Sequence, residues 1–334
     1  MDKVITRDSN LIKVLVASAK KESQDTALLS EANAYVRELA SDLSPENKYR
    51  IAQVIGFAVN DLMKPATNWL STVADLKEVG MGEKAQFIVN GSGVKAFVQA
   101  KGATTARSKV TTRALVPETV DVSARPVINI AELRSGKVDM ANLIVDAAYK
   151  MEIAEYRLIQ QVLNAAATSW AAPYYGTGSG IVKATLDPMV RHWMRLSAGG
   201  SPVIIGDIEV IAKLAEQTGF TASSSAKQFS SNAIDEFHNA GFVGNYAGAR
   251  VINLVNPLDD TDTPAFDLKK LYILPASADA SARPLKIVHE GEISSREQEN
   301  IDDMTYEVRL DRYVGAGLVF GERPNLSVYA DSSN

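Results

Sequence analysis

Hydrophobic residues recur every three or four positions through residues 1–64, which predicts helices. Ser44-Pro45-Glu46 is typical of a helix start, because serine caps free amide groups and proline fits the first helical position. The helix that follows would carry an apolar stripe: Ile51, Val54, Ile55, Ala58, Val59 and Leu62. Two alternatives stay open for this stripe. It packs on the chain's own core, or the segment is an arm laid on a neighbouring subunit.

The pattern changes between residues 80 and 129, where Gly, Val and Thr become common and apolar and polar residues alternate. A period of two with glycines between the runs predicts a long β-ribbon. Such a ribbon has little core and two exposed edges, so it needs a surface to lie on. Between Lys84 and Pro117 there is no acidic residue. The charged residues of this window are Lys84, Lys95, Lys101, Arg107, Lys109 and Arg113.

The longest helical pattern covers residues 131–168. At a rise of 1.5 Å per residue this helix would be roughly 50 Å long, which is unusual for a compact domain. It needs a coiled-coil partner or a sheet along its length, and the lack of ordered flanking charges favours the sheet. Its predicted buried stripe is Met140, Ile144, Ala147, Met151, Ala154, Leu158, Val162 and Ala165.

Short helices and strands alternate between residues 172 and 290, which predicts an α/β arrangement. Helices are predicted at 188–196, 208–217 and 233–240, and strands at 203–205, 250–255 and 271–274. Residues 174–180 and 221–231 read as loops. Further strands are predicted at 285–288, 306–313 and 317–320.

Composition narrows the function. The net charge of −5 argues against a sequence-specific DNA-binding protein, which would usually be basic. The absence of cysteine excludes disulfides, thiolate catalysis and cysteine-bound zinc. The N-terminus lacks a signal-peptide pattern, and no apolar run approaches the roughly 20 residues that span a bilayer. A cytosolic product without a membrane partner is expected.

Candidate catalytic and metal-binding motifs are incomplete. The three histidines, His192, His238 and His289, are not at metal-binding spacings and read as ordinary residues. The glycine-rich run at 176–180 lacks the Gly-Lys-Ser/Thr ending of a phosphate-binding loop and reads as a flexible connector. Asp259, Asp260 and Asp262 lack the glycine and glutamate of a calcium loop and read as a solvated loop. No catalytic, cofactor or metal site is predicted, so the chain is expected not to be an enzyme.

The order of these parts resembles the major capsid proteins of tailed double-stranded-DNA bacteriophages, which have the Hong Kong 97-type fold. The resemblance covers most of the chain, from about Lys64 to Ala330, and rests on order and length. Representative stretches are PVIIGD at 202–207, GARVINLVNP at 248–257 and YEVRLDRYVGAGLVF at 306–320.

The resemblance implies an α+β fold with five parts. These are an N-terminal helical arm at 1–64, an extended β-hairpin (the E-loop) with the start of the peripheral domain at 65–129, a spine helix at 130–171, a central α/β axial domain at 172–289, and returning peripheral-domain strands with the C-terminus at 290–334.

It also implies a structural protein that self-assembles into pentamers and hexamers of an icosahedral virion head, built in the host cytoplasm around double-stranded DNA without sequence specificity. A separate scaffolding protein, a portal and a decoration protein are the implied partners, and no cofactor is implied. Two alternatives stay open: an encapsulin-like nanocompartment shell, and a cytosolic α/β enzyme.

The opposite charges of two segments, residues 84–117 and residues 290–312, predict where subunits touch. Residues 290–312 contain eight acidic residues against three arginines, while the ribbon is basic. Opposite charges across an interface set its register, although exposed pairs contribute little and both segments could simply be solvated. The hypothesis is that the six basic residues of the ribbon contact a neighbouring subunit at Glu292, Glu297, Glu299, Asp302 and Asp303.

Overall fold

The computed structural model describes residues 10–17, 26–42, 44–63, 70–91, 107, 111–135, 137–167, 170–196, 201–217, 241–242, 244–275, 283–300, 302–318 and 324–333. The helices are α1 (10–17), α2 (Thr26–Ser41), α3 (Pro45–Met63), α4 (Leu70–Val73), α5 (Ile130–Ser135), α6 (Met140–Ala167), α7 (Lys183–Leu196) and α8 (Ile208–Gln217).

The strands are β1 (Ala74–Val79), β2 (Phe87–Gly91), β3 (Thr111–Leu115), β4 (Thr119–Ala124), β5 (Val127–Asn129), β6 (Tyr175–Gly178), β7 (Val203–Gly206), β8 (Asn245–Tyr246), β9 (Ala249–Asn253), β10 (Lys270–Leu274), β11 (Leu285–Asn300), β12 (Thr305–Leu318) and β13 (Ser327–Asp331). They form a five-stranded sheet, a six-stranded sheet and a separate two-stranded ribbon, β2 with β3. The predicted α+β class is confirmed.

Helix α3 belongs to the body of the subunit. The hydroxyl oxygen of Ser44 accepts a hydrogen bond from the backbone N–H of Asn47 at 3.4 Å, as predicted for a helix cap. The predicted stripe is buried from Ile51 to Val59 and packs in the chain's main hydrophobic core, beside α6 and β11. The first alternative, packing on the chain's own core, is therefore confirmed for α3.

The five-stranded sheet has the order β1-β11-β12-β4, and β5 also pairs with β12. Strands β11 and β12 form a long antiparallel hairpin, and α3 and α6 contact it. Alternate residues of β12, Tyr306, Val308 and Leu310, are buried. The hairpin is longer than predicted. Its outer half is rich in charged residues, so the sequence pattern did not indicate strands there. Residues 119–129, read as ribbon, belong to this sheet.

The predicted long helix is interrupted. Helix α5 ends at Ser135 and α6 begins at Met140, where the Asp139 carboxylate accepts a hydrogen bond from the N–H of Ala141 at 3.0 Å. The 28 residues of α6 span about 42 Å at 1.5 Å per residue. As predicted, it lies along a sheet, against β12 and β4.

The predicted stripe of α6 is right only as far as Met151. Beyond it the buried positions are Ile153, Glu155, Tyr156, Ile159, Gln160 and Leu163, whereas Ala154 and Ala165 are exposed. One of these buried residues, Glu155, is a carboxylate, which a search for apolar residues passes over.

The six-stranded sheet has the order β6-β13-β10-β7-β9-β8 and a core of its own that includes α7 and α8. Residues 175–178 form β6 and not a loop, because β6 pairs with β13. A Cβ on Gly178 would lie 2.4 Å from the hydroxyl of Tyr329, so this glycine allows close packing and not flexibility.

Strand β13 was not among the predicted strands. It pairs with β10 and β6 and so belongs to the six-stranded sheet. The predicted loop at 221–231 and helix at 233–240 lie outside the described residues. Within the described residues, no helix combines the length and apolarity that a membrane span requires.

Candidate subunit interface

The ribbon follows β1 and precedes β4 along the chain, and it pairs only with itself among the described strands. Residues 87–91 of β2 pair with 111–115 of β3, from Phe87 opposite Leu115 to Gly91 opposite Thr111. Of the predicted basic contacts, Lys84 and Arg107 are exposed, and Arg113 lies on β3 opposite Val89. The others, Lys95, Lys101 and Lys109, lie outside the described residues.

Phe87 anchors the first strand of the ribbon. Its side chain is 2% exposed, and the ammonium nitrogens of Lys77 and Lys286 lie 4.5 Å and 5.4 Å from its ring centroid. Lys286 is itself buried and forms an ion pair with Asp75 at 2.9 Å. Ammonium groups over an aromatic face are attracted by its negative potential, so the ring is held by charge as well as by burial.

Glu290 fastens the chain on both sides of the ribbon. One carboxylate oxygen accepts a hydrogen bond from the backbone N–H of Gly82 at 2.8 Å, and the other accepts one from the hydroxyl of Thr119 at 2.9 Å. Gly82 precedes β2 and Thr119 follows β3, so this one side chain fixes where the ribbon leaves the sheet. The sequence identified Glu290 only as one acid among several.

The predicted acidic contacts do not form one patch. Glu299 pairs with Lys48 of the same chain, and Glu297 is half-buried near Tyr306. The pKa of Tyr306 is raised, first by burial and then by the Glu297 charge. Glu292, Asp302 and Asp303 are exposed. Glu292 lies midway along β11, whereas Asp302 and Asp303 lie at the turn before β12, about 30 Å away at roughly 3.3 Å per residue.

A free edge begins where β1 ends. Strand β11 pairs with β1 as far as Glu290 opposite Val79, and its register against β12 shifts between Glu290 and Ser294. Gly291, at φ 72°, adopts the left-handed conformation of this bulge. In the described part of the chain, residues 291–300 have a strand beside them on the β12 side only.

A groove of about 270 Å³ lies next to this edge, between α3 and residues 292–295 of β11. Tyr49 and Phe57 of α3 line it and are 51% and 46% exposed. Gly56 lets the helix approach the strand, since a Cβ there would lie 3.2 Å from that of Ser295. The sequence signal for the groove was the spacing of Tyr49, Gln53 and Phe57 on the side of α3 away from its buried stripe.

The buried polar residues nearby are structural. Nε2 of His289 lies 2.7 Å from Glu155, and Nδ1 lies 2.9 Å from the guanidinium of Arg312. Arginine can only donate, so Nδ1 accepts and Nε2–H donates to Glu155. Burial raises the pKa of Glu155, but the hydrogen bond from His289 and the charges beside it outweigh burial and hold it below its ordinary value. His289 is therefore a buried residue whose two ring nitrogens both have hydrogen-bond partners within the core.

Of the other two histidines, His192 packs edge-on against Tyr174, and His238 lies outside the described residues.

The aspartate loop after β9 is exposed to solvent at residues 260–263, as predicted, but Asp259 anchors it. Asp259 accepts hydrogen bonds from the N–H groups of Thr261 and Thr263 and pairs with Arg157 of α6. The Thr261 hydrogen bond, then the Arg157 contact, lowers the pKa of Asp259. Among the described residues, no cluster of His, Asp and Glu could hold a metal ion.

A family model described as "SPbeta prophage-derived putative capsid protein YonB" matches residues 1–327. The chain belongs to the YonB capsid protein family. This membership confirms the resemblance to phage capsid proteins. No curated protein matches the chain.

Solved structures similar to this YonB-family chain include shell proteins. A virus-like particle from Pyrococcus furiosus is 12% identical, with 83% of this chain and 98% of that chain covered and a TM-score of 0.48. The head of Helicobacter pylori bacteriophage KHP40 is 11% identical, with 78% and 88% covered and a TM-score of 0.49. The SrpI encapsulin of Synechococcus elongatus is 15% identical, with 79% and 88% covered and a TM-score of 0.46.

Proposed function

We propose that this chain is the major capsid protein of a tailed bacteriophage and forms the pentamers and hexamers of an icosahedral head. The observation that carries the proposal is the match of a capsid-protein family model to 1–327 of the 334 residues. The projecting ribbon, the long α6 against a sheet and the second α/β sheet follow the order expected of the Hong Kong 97-type fold.

The role is mechanical and not catalytic. The shell would enclose double-stranded DNA without reading its sequence, through electrostatic contacts alone. A scaffolding protein, a portal and a decoration protein would be its partners, and the virion its location.

Subunits would touch through the ribbon. The basic ribbon of one copy would lie on the β11–β12 hairpin of the next, where Glu292, Asp302 and Asp303 are exposed. Glu297 and Glu299 contribute less to this contact, because each is engaged inside its own subunit. Two anchors, Phe87 and Glu290, would aim the ribbon at the neighbour.

Electron microscopy of the expressed full chain, with and without its scaffolding protein, tests the proposal. Closed particles of uniform diameter are the expected result. A chain that stays a compact monomer or dimer even with scaffold present would refute it. Closed particles that take up an enzyme and no portal would instead indicate a nanocompartment.

A further inference from the structure

Strand β4 forms an edge of the five-stranded sheet. It pairs with β12 from Thr119 opposite Gly315 to Ala124 opposite Leu310, and in the described part of the chain no strand lies on its other side. Proteins normally blunt an exposed edge with lysine, proline or a bulge. Strand β4 contains no lysine or proline, and its register against β12 is continuous. This edge is therefore open to a further strand.

A groove of about 710 Å³ runs along this edge, and residues 120–123 line it one after another. Side chains on a strand alternate between two faces, so a groove that four consecutive residues reach lies along the edge and not over one face. The other wall consists of residues 259–261 and of α6 from Lys150 to Gln161, which spans about 17 Å at a rise of 1.5 Å per residue. A strand of five residues has about the same length at roughly 3.3 Å per residue.

The lining of the groove is apolar beside β4. Val120 is 45% exposed there, and Ile153, Ala154 and Leu158 of α6 share the lining with it. The charged groups of the lining are already paired within the subunit: Lys150 with Asp260, Arg157 with Asp259, and Asp121 with Arg309. The groove therefore has no charged track for a polyanion or a polycation, and it suits an extended strand with small apolar side chains on one face.

Strand β4 of a second copy is such a strand. Val122 is buried in the main core, and Val120 and Ala124 share its face of the strand. When two copies of β4 run antiparallel about a two-fold axis at Val122, Val120 of each copy lies opposite Ala124 of the other. Small apolar side chains then meet along the whole α6 side of the junction, where the groove has room for them.

The opposite face of β4 is also complementary to itself. In the same register Asp121 lies opposite Ser123 of the second copy and diagonal to its Arg125, whose guanidinium is 55% exposed. Diagonal neighbours across two strands are within reach of long side chains, so the carboxylate and the guanidinium can pair. A two-fold contact requires such self-complementarity, because the same patch serves on both sides.

We propose that the β4 edges of two subunits pair antiparallel about a two-fold axis at Val122, so that their five-stranded sheets join into one continuous sheet. The inference rests on the proposed shell function, which supplies the second copy, and an icosahedral shell contains the two-fold axes that the contact needs. Main-chain hydrogen bonds would give this contact its strength, and the alternation of Val120, Asp121 and Val122 would set its register.

A scan of single cysteines tests this geometry, because the chain has no cysteine and hence no background. Each of positions 119 to 124 is changed to cysteine in turn, and assembled shells are oxidised mildly and run on a non-reducing gel. Only the residue on the axis has its own copy directly opposite, about 4.5–5.5 Å away. One position further along, a residue and its own copy are diagonal neighbours, about 7–8 Å apart, which is too far for a disulfide.

The scan should give its strongest dimer band for Val122→Cys and a band several-fold weaker at each neighbouring position. A second measurement uses exposed positions only and so does not depend on a change in the core. Shells assembled from an equal mixture of Asp121→Cys and Ser123→Cys subunits should give dimers, whereas shells of either variant alone should give few. Lys183→Cys, at an exposed position on α7, is the control and should give no dimer.

The outcomes separate this inference from the shell proposal. Normal shells that give no dimer at any position, or equal dimers at all six, overturn the pairing of β4 edges and leave the shell function standing. A strongest band at another position, together with no dimer in the mixed shells, overturns the register assigned to the axis. Failure of the unaltered chain to form shells, with or without scaffold, removes the proposed function itself.

Discussion

The carboxylate of Glu290 lies 2.8 Å from the backbone nitrogen of Gly82, and its second oxygen holds the strand on the other side of the ribbon. The same residue is the last of β11 to pair with β1, so the free edge starts immediately beyond it. Glu290 therefore lies both at the base of the β2–β3 ribbon and at the start of residues 291–300 of β11, which β1 does not cover.

Glu290→Ala should destabilise the subunit by about 1–2 kcal/mol, because two hydrogen bonds to a partly exposed carboxylate are lost. Proteolysis should then begin near the ribbon at lower protease concentration than in the unaltered chain. Urea unfolding of the unassembled subunit measures the first effect and limited digestion the second. Glu292→Ala is the matched control, since that side chain is exposed and should leave both unchanged.

The buried cluster of Glu155, His289 and Arg312 should contribute to the acid sensitivity of the subunit. The pKa of Glu155 is held below its ordinary value of 4.5, so the folded state favours the carboxylate. The stabilisation is therefore complete above about pH 4.5 and is lost as pH falls through the lower folded pKa. Glu155→Gln should flatten this acid limb of the stability curve, measured by urea unfolding at pH 3 to 7.

Removing a charge from the same cluster should cost more than acidification. Arg312→Leu leaves Glu155 buried beside a histidine that has lost its donor, and breaking such a pair costs about 3–5 kcal/mol. Lys150→Leu is the control, because its ion-pair partner Asp260 is 83% exposed and is not left buried when the ammonium is removed. Equal losses of unfolding free energy in the two variants would contradict the assigned role of the cluster.

Much of this architecture was predictable because it follows from local pattern. The helix after Ser44 and the helix at 208–217 were predicted closely, because helix caps and apolar spacing depend only on residues that are close together in the sequence. The buried face of α6 was not predicted correctly beyond Met151. Glu155 can be buried there only because His289 and Arg312, which lie on distant strands, neutralise its charge. The strand at Gly178 was missed for a similar reason: the tight fit against Tyr329 exists only in three dimensions.

The candidate interface was predictable in charge but not in shape. The acid-free window and the acidic hairpin could be read directly, whereas the pairing of Glu299 with Lys48 could not. The free edge depends on where β1 stops beside β11, which is a relation between residues about 210 positions apart: Val79 and Glu290. No local pattern contains that information.

Reversing the charge of the ribbon should impair assembly without unfolding the subunit. The variant carries Lys95→Glu, Lys101→Glu and Arg107→Glu, which place carboxylates opposite the acidic hairpin. Light scattering should show assembly reduced at least tenfold at low salt, while circular dichroism stays unchanged. Reversal of Lys137, Lys183 and Arg195, which are exposed elsewhere, makes the same change in net charge and should assemble normally. Normal shells from the ribbon variant would show that the charges of the ribbon do not direct assembly.

Replacing the two exposed aromatics of the groove should separate assembly from folding. Tyr49→Ser with Phe57→Ser should change the unfolding free energy of the subunit by no more than about 1 kcal/mol, because both side chains are roughly half exposed. If the ribbon of a neighbouring subunit covers them, their loss removes apolar area only in the shell, where aromatic anchors typically contribute more than 1 kcal/mol each. The critical concentration for assembly, measured by sedimentation, should therefore rise about tenfold or more. Val255→Ser is the control: it is 61% exposed and lies after β9, away from the groove. A critical concentration that rises equally in both variants would show that general surface hydrophobicity, and not this groove, drives the contact.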